Sequence, residues 1–292
     1  MTDGRNFRSH YYEKVGFRGV EGTKSLQIVL KDEPVDLEKL EVFCVRFPVP
    51  VVYRPLVWKL LLRILPPHYS THEYVWEQRQ EQYTDVHHSL TVMSIINEDT
   101  PLNMVFMKMF LLEEGDLPLE DEKVPINDSQ KAFIEMASAV MNMYDGNDVD
   151  CYWITSQFYK LWMKYNNVQS MPGIFQAILK KEDSELHGHL DKIRVLSRLP
   201  YNSWFLSVFS SVFPAEVLAR IWDRLIGGAC KLVLYLALTL VKSHRKMILS
   251  YQTLEQIEQL LAKMQPDRAD SIITEAIEIW EKCGSQLRPE VT

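Results

Sequence analysis

The chain has 292 residues and an acidic balance, with a formal net charge of −7 at neutral pH. This charge speaks against nucleic acid or an anionic membrane surface as the main partner. Hydrophobic residues make up 47% of the chain and glycines number only 11, so a globular protein with a large core is expected and an all-β fold has little support.

Apolar residues recur at helical spacing along most of the chain, and short breaks rich in proline, glycine or acidic residues separate the segments. We therefore predict an all-α fold. Asp36, Ser70 or Thr71, and Thr253 are the expected N-caps of three helices. The predicted helices cover residues 25–30, 36–47, 54–65, 72–96, 102–112, 128–144, 149–165, 172–181, 184–196, 200–213, 215–226, 231–241, 254–264 and 270–283.

The segment Leu102 to Leu112 is apolar on every side, because Asn103 and Lys108 are its only polar residues. A helix with this pattern is either fully buried or presents a second face to a partner. Its methionines fit both interpretations, since Met-rich surfaces adapt to partner grooves. The pattern alone leaves both open.

The segment Leu199 to Gly228 holds six aromatic residues and predicts two linked helices separated by Pro214. Gly227 and Gly228 are expected to provide a left-handed end for the second helix. Arg220 and Asp223 are three positions apart, so we expect them to form an ion pair. The first helix is expected to bury Trp204, Phe205, Val208, Phe209 and Val212.

Motifs for catalysis or metal binding are not evident. The histidine pairs, His87 with His88 and His187 with His189, do not share a helix face, and residues 145–150 lack the calcium-loop pattern and are expected to form a turn. No phosphate loop or nucleophile elbow occurs, so we expect no cofactor and no metal. The cysteines lie far apart, which favours reduced thiols and a cytoplasmic location; they are Cys44, Cys151, Cys230 and Cys283.

Three segments occur in an order that resembles the TBC domain family of Rab GTPase-activating proteins. They are Arg-x-x-Val-Trp-x-x-Leu-Leu at residues 54–62, Cys-Tyr-Trp at 151–153, and the aromatic pair of helices ending in Arg-Ile-Trp-Asp at 220–223. The resemblance spans residues 40–264. It implies one multi-helical TBC domain over residues 36–265, with a lead-in over 1–35 packed on it and a C-terminal helix and tail over 266–292.

The resemblance also implies a two-finger mechanism. An arginine from Ile-x-x-Asp-x-x-Arg neutralises charge on the γ-phosphate, and a glutamine from Tyr-x-Gln orients the attacking water. Here residues 96–102 are Ile-Asn-Glu-Asp-Thr-Pro-Leu, so Leu102 stands at the arginine position. No tyrosine is followed two residues later by glutamine, which leaves Gln130 as a weak candidate for the second finger. No arginine occurs between Arg79 and Arg194, and these two remain open as substitutes.

Within the family, residues 5–8, 11–20 and 149–155 resemble a short member that is the third subunit of the tuberous sclerosis complex. This closer resemblance implies binding to the C-terminal coiled coil of hamartin and, through it, to tuberin, which acts on Rheb upstream of mTOR. It implies an adaptor without catalysis, recruited to vesicle or lysosome surfaces by its partners. The alternative is an activator of a Rab GTPase with non-standard fingers. The predicted partner-binding residues are Leu102, Val105, Phe106, Met109 and Leu112.

Overall fold

The computed structural model describes residues 22–118, 125–144, 147–285 and 287, and every regular element in that part of the chain is a helix. The prediction of an all-α fold is therefore confirmed. Residues 1–21 of the lead-in, and residues 145 and 146 of the predicted turn at 145–150, lie outside the described residues. The described part of the first helix, α1, covers residues 22–29, and the helices after it are α2 Leu37–Arg46, α3 Arg54–Leu61, α4 His72–Val92, α5 Leu102–Glu114, α6 Asp128–Met143, α7 Asp148–Tyr165, α8 Met171–Glu182, α9 Ser184–Lys192, α10 Ala215–Ile226, α11 Leu232–Ser243, α12 Arg245–Ser250, α13 Leu254–Leu261 and α14 Pro266–Lys282.

Two of the predicted N-caps are present. The Asp36 carboxylate accepts a hydrogen bond from the backbone N–H of Lys39 at 3.0 Å, and the Thr253 hydroxyl accepts one from Gln256. Thr71 does not cap α4, because residues Tyr69–Thr71 form a 3₁₀ turn that leads directly into the helix, and the Thr71 hydroxyl donates to the carbonyl of His68.

Four helices, α3, α4, α9 and α13, end three or more residues earlier than their apolar periodicity predicts, and α14 begins four residues earlier than predicted, at Pro266. α3, α4 and α9 stop at Leu61, Val92 and Lys192, and each is followed within two residues by a non-glycine residue with positive φ. These residues are Arg63, Ser94 and Arg194, with φ of 61°, 57° and 57°. The apolar residues beyond each turn still reach the core, so the periodic pattern continues although the helix does not.

The first arm of the Leu199 to Gly228 segment is not a regular α-helix, which corrects the prediction. It contains a π-helical turn at Asn202–Leu206, and Val208 and Phe209 follow in left-handed conformations with φ of 53° and 60°. The indole N–H groups of Trp162 and Trp222 donate to the carbonyls of Phe205 and Val208, at 2.8 and 3.1 Å. These tertiary hydrogen bonds satisfy carbonyls that a continuous helix would have paired within itself.

The second arm, α10, is a regular helix that lies in the centre of the fold. It packs against α2, α3, α6 and α14, and α14 also packs along α11. A Cβ atom on Gly227, at the end of α10, would lie 2.9 Å from the backbone carbonyl oxygen of Glu41 and 2.9 Å from Cys44 Cβ, so only glycine permits this close approach to α2. Gly228 has φ of 109°, as expected for the left-handed end of the helix.

The predicted ion pair between Arg220 and Asp223 is wrong. Asp223 is fully buried and accepts hydrogen bonds from Arg54 Nε at 2.9 Å, Arg54 Nη2 at 3.0 Å and Trp58 Nε1 at 2.8 Å. Arg220 lies at the surface and pairs with Asp270 of α14. Asp223 thus joins α10 to α3 in the core. The periodic pattern of the sequence places Asp223 on one face of α10 but does not indicate which residue it binds.

No helix among the described residues has both the length and the apolar character required to span a bilayer.

Candidate functional site

The apolar helix α5 is surrounded by three other helices. Phe106 contacts Tyr83 of α4 and Tyr152 of α7, with ring centroids 6.4 and 5.7 Å apart. Phe110 stacks on Phe133 of α6 with centroids 4.7 Å apart. A helix packed on three sides needs apolar residues around most of its circumference, which explains the sequence of α5.

This packing corrects part of the predicted partner-binding face. Phe106 and Met109 are fully buried and Val105 is 4% exposed, so these side chains are not available to a partner. Leu102 and Leu112 are half-buried at the two ends of the helix. The sequence could not separate the two interpretations of α5, because periodicity does not show how many helices surround a segment.

The two predicted finger positions lie near opposite ends of α5. Leu102 is the first residue of α5, whereas Gln130 belongs to α6 and lies beside the other end of α5. Beside Leu102, the Asn103 side chain donates to Ser138 in the middle of α6 at 2.9 Å. At the other end of α5, Phe110 packs one turn from Gln130, at the start of α6. Phe110 follows Leu102 by eight residues, or about 12 Å along the helix axis, so the packing of α5 separates the two positions.

The Gln130 side chain is also engaged in capping α6. Its Oε1 accepts a hydrogen bond from the backbone N–H of Asn127 at 3.1 Å, and Asn127 Oδ1 accepts one from the backbone N–H of Gln130 at 2.9 Å. This reciprocal capping box fixes the start of the helix. A glutamine that orients a catalytic water would have to leave it.

Arg79 and Arg194 lie apart from Gln130. The Arg79 guanidinium stacks over the ring of Trp153 at 4.5 Å and donates to Gln82 at 3.2 Å. Arg194 is exposed in the turn after α9. Neither arginine lines the cleft that contains Gln130.

That cleft lies between α5, α6 and α7 and has a volume of about 670 Å³. Sequence reasoning did not identify it, since its lining comes from three helices and adjoining loop residues, and no motif joins them. Lys160 of α7 pairs across it with Glu114 of α5 at 2.5 Å, and Met163 is 39% exposed. The lining residues are Met107, Phe110, Leu111, Glu114, Asp116, Asn127, Ser129, Gln130, Phe133, Tyr159, Lys160, Met163 and Lys164.

Burial perturbs several titratable groups in the core. Burial raises the pKa of the Cys44 thiol well above its usual range and that of Cys151 to about 12, so both stay protonated at neutral pH. Burial also raises the pKa of Tyr152, and its hydroxyl donates to Glu113. Within the described ranges, no cluster of three or more His, Cys, Asp or Glu side chains is arranged to ligate a metal.

Comparisons with known proteins agree with this architecture. The model of the Rab-GTPase-TBC domain family matches residues 131–249, a segment that begins directly after Gln130. TBC1 domain family member 7 from Bos taurus is 42% identical over 97% of both chains, and the Homo sapiens protein of that name is 41% identical over the same shares. The Danio rerio protein of that name is 40% identical, again over 97% of each chain.

Solved structures share the fold at low sequence identity. The Ypt/Rab-GAP domain of Gyp1p superposes with a TM-score of 0.63 at 14% identity, over 90% of this chain and 98% of that one. A Chlamydomonas flagellar RabGAP TBC domain gives a TM-score of 0.60 at 15% identity, over 92% and 94%. With the full-length sequence similarity above, these matches show that the chain belongs to the TBC domain family.

Proposed function

We propose that this protein is a non-catalytic TBC-domain adaptor that binds the coiled coil of hamartin and stabilises the tuberous sclerosis complex, a negative regulator of Rheb and mTOR signalling. The observation that carries the absence of catalysis is the separation of the two finger positions along α5, with Leu102 at one end and the capping Gln130 at the other. The sequence resemblance stated above supplies the partner.

The chemistry of GTP hydrolysis supports this choice. An arginine finger contributes roughly 10³–10⁵ in rate, or about 4–7 kcal/mol of barrier, through charge stabilisation at the γ-phosphate. The aliphatic Leu102 offers no charge and no hydrogen bond. Arg79 is already engaged by Trp153 and Gln82, so it would have to break both contacts to reach a nucleotide.

Family membership favours one alternative, which is activation of a Rab GTPase by non-standard residues. In that case Gln130 would leave its capping box, and an arginine from outside the 80–193 interval would enter the site. Substitution of Gln130 by alanine would then abolish the stimulated hydrolysis.

The adaptor role is tested by titrating the purified protein with the C-terminal coiled coil of hamartin in a calorimeter. We expect a complex of defined stoichiometry, and we expect the coiled coil to raise the melting temperature, because a ligand that binds only the native state stabilises it. Absence of binding by the folded protein would contradict the adaptor role.

A further inference from the structure

The segment between α2 and α3 exposes large apolar side chains. Val51 and Val52 are 71% and 86% exposed, and Phe47 at the end of α2 is 37% exposed. Val49 is buried, so the segment is anchored in the core while the side chains on either side of this valine face outward. We call the part formed by Phe47, Val51 and Val52 the Phe47–Val52 surface. Contiguous exposed apolar area of this kind marks a place that another segment or another molecule covers.

Helix α1 lies along this surface. Gly22, its first described residue, is buried, and a Cβ atom there would lie 4.0 Å from Phe47 Cδ1, at van der Waals distance. Further along α1, Leu26 is buried in the core, and Gln27 Nε2 donates a hydrogen bond to the Tyr53 hydroxyl at 2.7 Å. Because these contacts hold α1 at both ends of the surface, the chain that precedes Gly22 starts directly beside Phe47.

The 21 residues that precede Gly22 are long enough to cover the surface. They lie outside the described residues. Phe47 and Val52 are five positions apart, so at most about 17 Å of extended chain separates them. Five or six residues before Gly22 therefore span the whole surface, and this stretch contains the apolar residues Phe17 and Val20.

The attachment at Gly22 favours this segment over a separate molecule. A group tethered next to its binding surface has an effective concentration on the order of millimolar. A second copy of the chain, or a partner present at a micromolar concentration, would have to displace it. The start of α1 beside Phe47 thus identifies the preceding segment as the occupant with the shortest path to the surface.

We propose that residues 15–21 fold back over the Phe47–Val52 surface, with the side chains of Phe17 and Val20 packed on Val51 and Val52. This contact removes apolar area from water on both sides. It also holds the first turn of α1 against the end of α2.

Trypsin digestion of the full chain tests this contact from within the proposed segment. A protease needs several extended residues around the bond that it cuts, so cleavage after Arg18 requires residues 15–21 to leave the surface. Arg5 lies outside the proposed segment and is the internal control. We expect cleavage after Arg18 to be at least about tenfold slower than cleavage after Arg5, because only a released segment is cut.

Variants of the surface test which residues the segment contacts. Val51→Asp and Val52→Asp should each accelerate cleavage after Arg18 by about tenfold, because a carboxylate covered by apolar side chains loses its hydration. Cleavage after Arg5 should not change. Val92→Asp makes the same substitution at a 69% exposed position of α4 and should leave both rates as in the wild type. Circular dichroism melting confirms that all variants are folded.

Three results would overturn the proposal. Equally fast cleavage after Arg18 and Arg5 in the wild-type protein would show that the segment leaves the surface free for a separate partner. Slow cleavage after Arg18 that Val51→Asp and Val52→Asp leave unchanged would place the segment elsewhere. Slow cleavage that becomes faster on dilution would identify a second copy of the chain as the occupant.

Discussion

Removal of either member of the Arg54–Asp223 ion pair should destabilise the protein strongly, and removal of both should cost clearly less than the sum of the two single losses. Asp223 is fully buried and Arg54 is 9% exposed, and two hydrogen bonds of 2.9 and 3.0 Å join them. Burial raises the pKa of Asp223, and the hydrogen bonds from Arg54 and Trp58 oppose that rise. Because each charge depends on the other in the core, a single substitution leaves one charge without its counterion.

The expected magnitude follows from that burial. Loss of one member of a buried ion pair costs about 3–5 kcal/mol, which for a chain of this size lowers the melting temperature on the order of 10 °C. The loss of unfolding free energy in Asp223→Leu should lie at the upper end of this range, because the substitution also leaves the Trp58 N–H without an acceptor. In the double variant with Arg54→Met neither charge remains. The loss of unfolding free energy in the double variant should therefore be smaller than the sum of the two single losses by about 2 kcal/mol or more.

Urea unfolding followed by tryptophan fluorescence gives the free energies of unfolding for the four members of this cycle. Arg220→Met is the matched control, because it removes an arginine that pairs with Asp270 at the surface, and it should cost about 1 kcal/mol or less. Single-variant costs below about 1 kcal/mol, or costs that add within about 0.5 kcal/mol, would refute the reasoning.

Three further predictions follow from burial and charge. Met109→Asp should lower the free energy of unfolding by several kcal/mol, because the Met109 side chain is fully buried. Met163→Asp should change the free energy of unfolding by about 0.5 kcal/mol or less. Equal losses for the two variants in urea unfolding would contradict this. Cys283, the exposed cysteine, should be the one alkylated by iodoacetamide in the native protein, and labelling of a buried cysteine in a mass spectrum would refute that. Burial raises the pKa of Asp183, but hydrogen bonds from Arg245 and a backbone N–H outweigh it and hold this pKa below its usual value. The stabilising contribution of Asp183 is therefore complete above pH about 3.9 and is lost as the pH falls from there through the lower native pKa. Asp183→Asn should thus make the free energy of unfolding, measured with urea, fall less steeply at acidic pH, and an unchanged dependence on pH would be inconsistent with the shift.

The helices themselves were largely predictable, because apolar periodicity and capping residues are local signals. The positions of the helix ends were less predictable where Arg63, Ser94 and Arg194 adopt positive φ, since no glycine marks those turns. The π-helical turn at Asn202–Leu206 depends on hydrogen bonds from distant indole groups, which a local pattern does not contain. Long-range contacts thus overrode local preference at these places.

The candidate site was less predictable than the fold. The motif comparison located Leu102 and Gln130, but only the packing of α5 against α6 places them at opposite ends of one helix. Burial of Val105 and Met109 likewise depends on three neighbouring helices. The cleft lined by Lys164 is assembled from three helices and adjoining loops, so neither composition nor spacing could indicate it.

Single-turnover GTP hydrolysis tests the absence of catalysis most directly. Rab GTPases loaded with GTP are mixed with saturating amounts of the wild-type protein, and phosphate release is followed over time. A non-catalytic adaptor leaves each rate within about twofold of the intrinsic rate, whereas a functional finger raises it by roughly 10³-fold or more. Stimulation of that size, abolished by Gln130→Ala or Arg79→Ala, would contradict the proposed function.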